Sequence, residues 1–285
     1  DGIRDKLVTG VQTCALPIST PHMSVILWFN DLPLWQAGLI LTGGALLLSL
    51  LGTAAARTLF PDREVDLTNV IGGFKYMFLS QVYAGFIGFL LFGVYDAYDE
   101  VRANIVNEVN ALTSLQQLAA SFPEQTREQL RLGLNGYARE VVETEWPQMR
   151  ARRANAGTAA TLDDIEYVYG SLEVASKKQA EIVKLSRELI TEIRNDRGER
   201  LMRSLGSLPY LLWLVALLAT TVAIAFPWVF GAANVNAAVG MSMLSILLMT
   251  SVVLVILKLS YPFGTGGIDP TPFAAFQAGL AGRGG

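Results

Sequence analysis

Nucleophilic, general-base and metal-binding chemistry most often calls on Cys and His, and this 285-residue chain holds one of each, Cys14 and His22. Both fall within residues 1–22, where Val8 to Ile18 (VTGVQTCALPI) reads as an in-frame translation of a sequencing adapter. The native protein is therefore expected to begin at Met23. From there on the chain has no thiol and no imidazole. That removes a zinc site built on Cys or His, a Cys or Ser–His nucleophile, a haem His ligand and a disulfide. Glu108, Glu140, Glu143 and Glu145 remain for acid–base work, yet each lies on an amphipathic segment of mixed charge and reads first as solvated face. No catalytic residue, metal ligand or cofactor is assigned.

The elements that carry these residues are membrane elements. The chain is 52% hydrophobic and only 16% charged, against about 25% charged in an ordinary soluble domain. The net charge of −3 offers no field for nucleic acid, so no nucleic-acid partner is expected. The organising stretch is Ile71 to Ala120. Its first half (IGGFKYMFLSQVYAGFIGFLLFGVY) is long enough to cross a bilayer, and no Pro or turn cluster separates it from the amphipathic second half. Val101, Ile105, Val109, Leu112, Leu115 and Leu118 recur at three and four, so one continuous helix is predicted to stand partly in lipid and partly in water.

Around that rod the predicted class is all-α, a polytopic membrane protein with four transmembrane helices and a helical bundle between spans two and three. Residues 23–97 form the first membrane hairpin, with a span from about Leu34 to Ala56 and the start of the rod. Residues 98–206 form the bundle. Phe122-Pro123 ends the rod, a helix from Pro123 to Trp146 folds back on it and stops at Pro147, and a long helix capped by Thr161 runs to Leu205. Residues 207–260 form the second hairpin, with spans near Leu208 to Phe230 and Val239 to Leu259. Residues 261–285 are rich in Gly and Pro and are expected extended or mobile. Arg194, Arg197, Arg200 and Arg203 crowd the entrance to the third span. By the positive-inside rule they put the N-terminus, the bundle and the C-terminus in the cytoplasm.

A set of short motifs in fixed order then stands out: YDAYDEVRANIVNEVNAL after the second span, Tyr137, Glu145-Trp146-Pro147, RxxRL at Arg197 to Leu201, Leu208-Pro209 with Trp213, and Pro262-Phe263-Gly264 after the last span. The ordered set resembles the bestrophin-like family of bacterial membrane proteins. The resemblance implies a distant relation to bestrophins, pentameric chloride channels with four spans per subunit, cytoplasmic termini and a pore lined by the second span. It implies a neck of three apolar residues one turn apart, for which Phe78, Val82 and Phe86, or Val82, Phe86 and Leu90, have the spacing. Such rows are common in any apolar helix. The acidic calcium ligands of regulated bestrophins have only Asp269 as a counterpart, too few oxygens for a calcium cage.

Two function classes compete. The first is a homo-oligomeric channel for chloride or another small anion, a pentamer by the resemblance. No Asp or Glu lies inside a span, and Lys75 stands near the opening of the second, where it either favours anions or snorkels to headgroups. The second is a membrane-anchored scaffold whose bundle binds a partner protein. An enzyme ranks third, because without His or Cys it would rest on Lys, Tyr or carboxylates alone.

Overall fold

The computed structural model describes residues 26, 28–59, 65–152, 157–172, 176–230 and 235–281. The predicted non-native leader therefore lies outside the described residues. Among these residues every regular element is helical: α1 (Leu34–Leu59), α2 (Val65–Ala119), α3 (Glu124–Glu140), a π-turn (Val141–Glu145), α4 (Trp146–Arg150), α5 (Gly157–Gly170), α6 (Lys177–Ser204), α7 (Tyr210–Ala225), a 3₁₀ turn (Phe226–Val229), α8 (Val235–Ser260) and α9 (Thr271–Ala281). Four stretches are long and apolar enough to cross a membrane, in α1, α2, α7 with its 3₁₀ turn, and α8.

The rod is present as predicted. α2 runs unbroken for 55 residues, about 80 Å at 1.5 Å per residue. From Tyr83 onward one face of it is buried, because Tyr83, Ile87, Val94, Val101, Ile105, Leu112 and Leu115 repeat at helical spacing. That face packs against α8 in the membrane half and against α6 in the bundle. Two apolar cores result, a membrane core around Ala37, Tyr83, Trp213 and Leu257 and a bundle core around Leu112, Leu134, Tyr169 and Ile193.

Four local expectations are corrected. Pro147 does not end its helix: the chain widens into the π-turn and continues to Arg150. Proline has no N–H for the carbonyl four residues back, and its ring crowds that carbonyl, so the wider turn placed just before it relieves both. Thr161 is not an N-cap, since α5 starts at Gly157 and the Thr161 hydroxyl donates to Glu140. The long helix predicted to reach Leu205 is two. α5 closes at Gly170, and α6 begins anew at Ser176, whose Oγ accepts from the Gln179 N–H at 3.2 Å.

The fourth correction concerns the tail. After the last span Gly267 N–H donates to Gly264 O and Ile268 N–H to Pro262 O at 2.7 Å, folding the PFGTGG stretch into a compact turn. The Asp269 Oδ1 accepts from the Thr271 N–H at the start of α9. α9 then buries Phe273, Phe276 and Leu280 in the bundle core. The passage from bundle to membrane turns at Gly206, whose φ of 113° and close approach to the Tyr261 ring both suit a residue without Cβ.

Candidate functional site

Two places gather the residues that sequence reasoning singled out. The first is a buried charged node in the bundle. Arg200, on α6, is wholly buried. Its Nε and Nη2 donate to Glu108 Oε2 and Oε1 at 3.0 and 3.1 Å, and Nη2 lies 2.7 Å from Glu145 Oε1. That last contact is an ion pair without hydrogen-bond alignment, for Glu145 Oε1 has no hydrogen-bonding partner. Glu145 Oε2 takes the Arg197 Nε–H at 2.9 Å, and the Tyr137 hydroxyl donates to Glu108 Oε1 at 2.5 Å. The guanidinium carbon sits 5.6 Å from the ring centres of both Trp146 and Phe273. Trp146 in turn packs edge-on against Phe263 and donates its indole N–H to the Ile268 carbonyl.

The members come from six helical elements and the tail turn. Glu108 sits on α2, Tyr137 on α3, Glu145 at the end of the π-turn, Arg197 and Arg200 on α6, Phe263 in the tail turn and Phe273 on α9. All of the motifs except Leu208-Pro209 with Trp213, which packs in the membrane core, thus meet in one knot. The solvated-face reading of Glu108 and Glu145 is corrected: both are fully buried. Glu143 is exposed as expected, and Glu140 is half-buried beneath Thr161. A signal for the knot exists in the sequence. Glu108 falls in phase with Ile105, Leu112 and Leu115, and Arg197 and Arg200 fall in phase with Ile190 and Ile193, so both helices carry charge on their apolar stripes.

Electrostatics hold Arg200 charged. Burial works against the Arg200 guanidinium, but Glu108, Glu145 and Tyr137 outweigh it and raise its pKa further. Burial and the Glu108 charge push the Tyr137 phenol well above its ordinary range, so it stays a donor. Asp196, one turn before Arg200, is lifted from 3.8 to about 6 by burial, Glu108 and Glu192, and its Oδ2 has no hydrogen-bonding partner. Because the folded pKa lies above the unfolded one, the native state binds the proton more tightly, and stability is lost as pH rises from about 4 to 6. Asp196→Asn removes that loss and is expected to gain about 1 kcal/mol at pH 7, scaled down for partial exposure. Melting curves at pH 4 and pH 7 check it; an equal change at both pH values would refute the assignment.

The node's carboxylates and its central guanidinium are buried and engaged with one another, which ties α2, the π-turn and α6 together. Among the described residues no group of three His, Cys, Asp or Glu could hold a metal.

The second place is the face of α2 that the rest of the chain leaves uncovered. Phe74, Phe78, Val82, Phe89 and Phe92 are exposed and fall within an arc of about 80° at 100° per residue. Past the apolar stretch the same face carries Asp96, Asn107 and Asn110, also exposed. The sequence candidates divide across this helix. Phe78 (72% exposed) and Val82 (55%) lie on the open face, Phe86 is half-buried at its margin, and Leu90 (2%) packs in the membrane core. Lys75 is exposed near the membrane end of the helix. Phe89 and Phe92 share the open face and were missed, because period counting cannot tell which side of an all-apolar helix its neighbours cover.

A family model described as Bestrophin-like domain matches residues 43–273. Among solved structures, a single-residue variant of a bacterial bestrophin homologue from Klebsiella pneumoniae matches with TM-score 0.68 and 14% identity, over 86% of this chain and 99% of that one. The Klebsiella pneumoniae homologue solved by Zn-SAD phasing matches with TM-score 0.66 and 15% identity, over 84% and 96%. At such identities the likeness shows the fold alone. A comparison with curated proteins finds no match. The family match takes in the spans, the knot and the open face of α2 together, and the chain belongs to the bestrophin-like family.

Proposed function

We propose that the protein is a homo-oligomeric anion channel, with the open face of α2 lining the pore and chloride or another small anion as its cargo. The observation that carries this reading is the length of that face. It is uncovered through the membrane half, where it is apolar, and through the bundle half, where it is polar and no lipid would cover it. A ring of subunits, five by analogy with bestrophins, would turn the faces inward. Phe78 and Val82 would then form a narrow apolar ring that gates by dewetting, with Phe86 at its edge and Leu90 bracing it from within the subunit. Lys75 would supply positive charge at the mouth, and no carboxylate precedes Asp96 on the face.

Phe78→Ala tests the reading better than Phe86→Ala, since a largely exposed ring leaves no cavity in its own subunit. The variant is expected to raise chloride flux in liposomes several-fold while its melting point stays within about 2 °C of the unaltered protein. A monomer in detergent, or vesicles equally silent with both proteins, would favour the scaffold.

The bundle and both termini are proposed to face the cytoplasm of a bacterial inner membrane. Arg194, Arg197, Arg200 and Arg203 all pair with carboxylates. The orientation rule counts basic residues and not net charge, so the pairing leaves it standing. In a Cys14→Ser background, a cysteine at the exposed Glu143 should resist a membrane-impermeant thiol reagent in intact cells; prompt labelling would reverse the orientation.

A further inference from the structure

At the ends of the spans away from the bundle, the second half of α1, the start of α2, the residues around the 3₁₀ turn and the first half of α8 line an open-sided cavity of about 710 Å³. Its walls are constructed. Trp228 closes one side, its indole N–H donating to Ser49 Oγ at 3.2 Å, and it comes so near α1 that a Cβ on Gly52 would lie 2.4 Å from its ring. Tyr76 stands on another side, stacked on Phe226 at 5.6 Å. Three of the chain's seven methionines, Met241, Met243 and Met249, line the space with flexible thioethers that conform to an irregular guest.

Charge singles out the guest. Arg57, in the last turn of α1, is the one charged residue in the lining, and it is exposed with no ion pair among the described residues. The volume lies within the range of small-molecule sites, about 300–1,000 Å³. We propose that this cavity binds a single-chain amphiphile with an anionic head, a long-chain carboxylate whose chain lies along the methionine-lined wall while its head pairs with Arg57. A bare anion would find one cation and an apolar chamber. A two-chain phospholipid would have to fit both chains into a space of one-chain scale, whereas a single chain with one negative end matches both the volume and the charge.

Trp228 makes the site self-reporting. The full chain in detergent is titrated with dibromostearate, whose bromines quench an indole in contact, and intrinsic fluorescence is followed. Saturable quenching is expected, and most of its amplitude should vanish in Trp228→Phe. Arg57→Gln should weaken binding about tenfold, the loss of one charge-assisted contact. A brominated long-chain alcohol should bind the unaltered protein and Arg57→Gln equally. Ser242→Phe should abolish the saturable phase by filling the cavity. Should that variant fail to fold, the exposed Arg57 and the alcohol still decide the matter. The proposal is overturned if quenching grows only in proportion to added probe, if Arg57→Gln leaves carboxylate affinity unchanged, or if brominated phosphatidylglycerol saturates the site and stearate does not.

Discussion

Arg200→Met is expected to destabilise the protein by about 3–5 kcal/mol, the cost of removing one partner from a buried charge cluster. The substitution keeps most of the apolar volume, so the loss would report charge and not packing. It leaves Glu108 and Glu145, both fully buried, facing each other without their shared cation. Burial already pushes the Glu108 carboxyl up against the pull of Arg200. Once the guanidinium is gone, Glu108 would fold in its protonated form. A raised folded pKa means that stability is retained at low pH and lost as pH rises through the folded value, so the deficit should shrink on acidification. Removing the carboxylate as well, in Glu108→Leu with Arg200→Met, should recover much of the loss, as buried ion pairs replaced by apolar groups often do. Denaturant or thermal melting in detergent checks this. A deficit below about 1 kcal/mol, or one independent of pH, would mean that the cluster is solvated.

Truncation after Gly267 is the second large effect. It removes α9 and with it Phe273, Phe276 and Leu280, which are 0, 7 and 1% exposed in the full chain. At about 1.5–3 kcal/mol per buried side chain, the loss is comparable with the whole margin of about 5–15 kcal/mol that holds a typical domain folded. The cut also strips one aromatic face from Arg200 and opens Trp146, so the charged node would meet water. The truncated protein is expected to aggregate, or to show protease cleavage within the bundle at concentrations that leave the full chain intact. Phe273→Ala is the graded version and should cost about 3–5 kcal/mol. A truncated protein that melts with the full chain would restore the picture of a mobile tail.

These two experiments fall on features that patterning leaves open. A stripe of apolar residues tells that a helix buries a face but not what covers it. Glu108 was therefore legible as an interruption of a stripe and illegible as half of an ion pair, since Arg200 stands 92 residues away in the sequence. The tail misled for a related reason. Its glycines and prolines punctuate a tight turn, and Phe273, Phe276 and Leu280 are too few to declare a buried helix until the bundle offers them a groove. Phe78, Val82, Phe86 and Leu90 make the same point in the membrane: spaced alike, they end with exposures from 72% to 2% because α7 and α8 cover only one side of α2.

By itself, the sequence determined what depends on one dimension. The four apolar stretches, the unbroken rod from Ile71 into the bundle and the restart at Glu124 follow from run length, period and proline, all local to a few turns. The order of short motifs was enough to suggest the family. Only the tertiary structure decided which charges are buried, which face of α2 stays open, and that the tail closes the bundle. Burial and pairing depend on residues distant in sequence meeting in space, and a charged group becomes structural only when the partner that offsets its desolvation arrives.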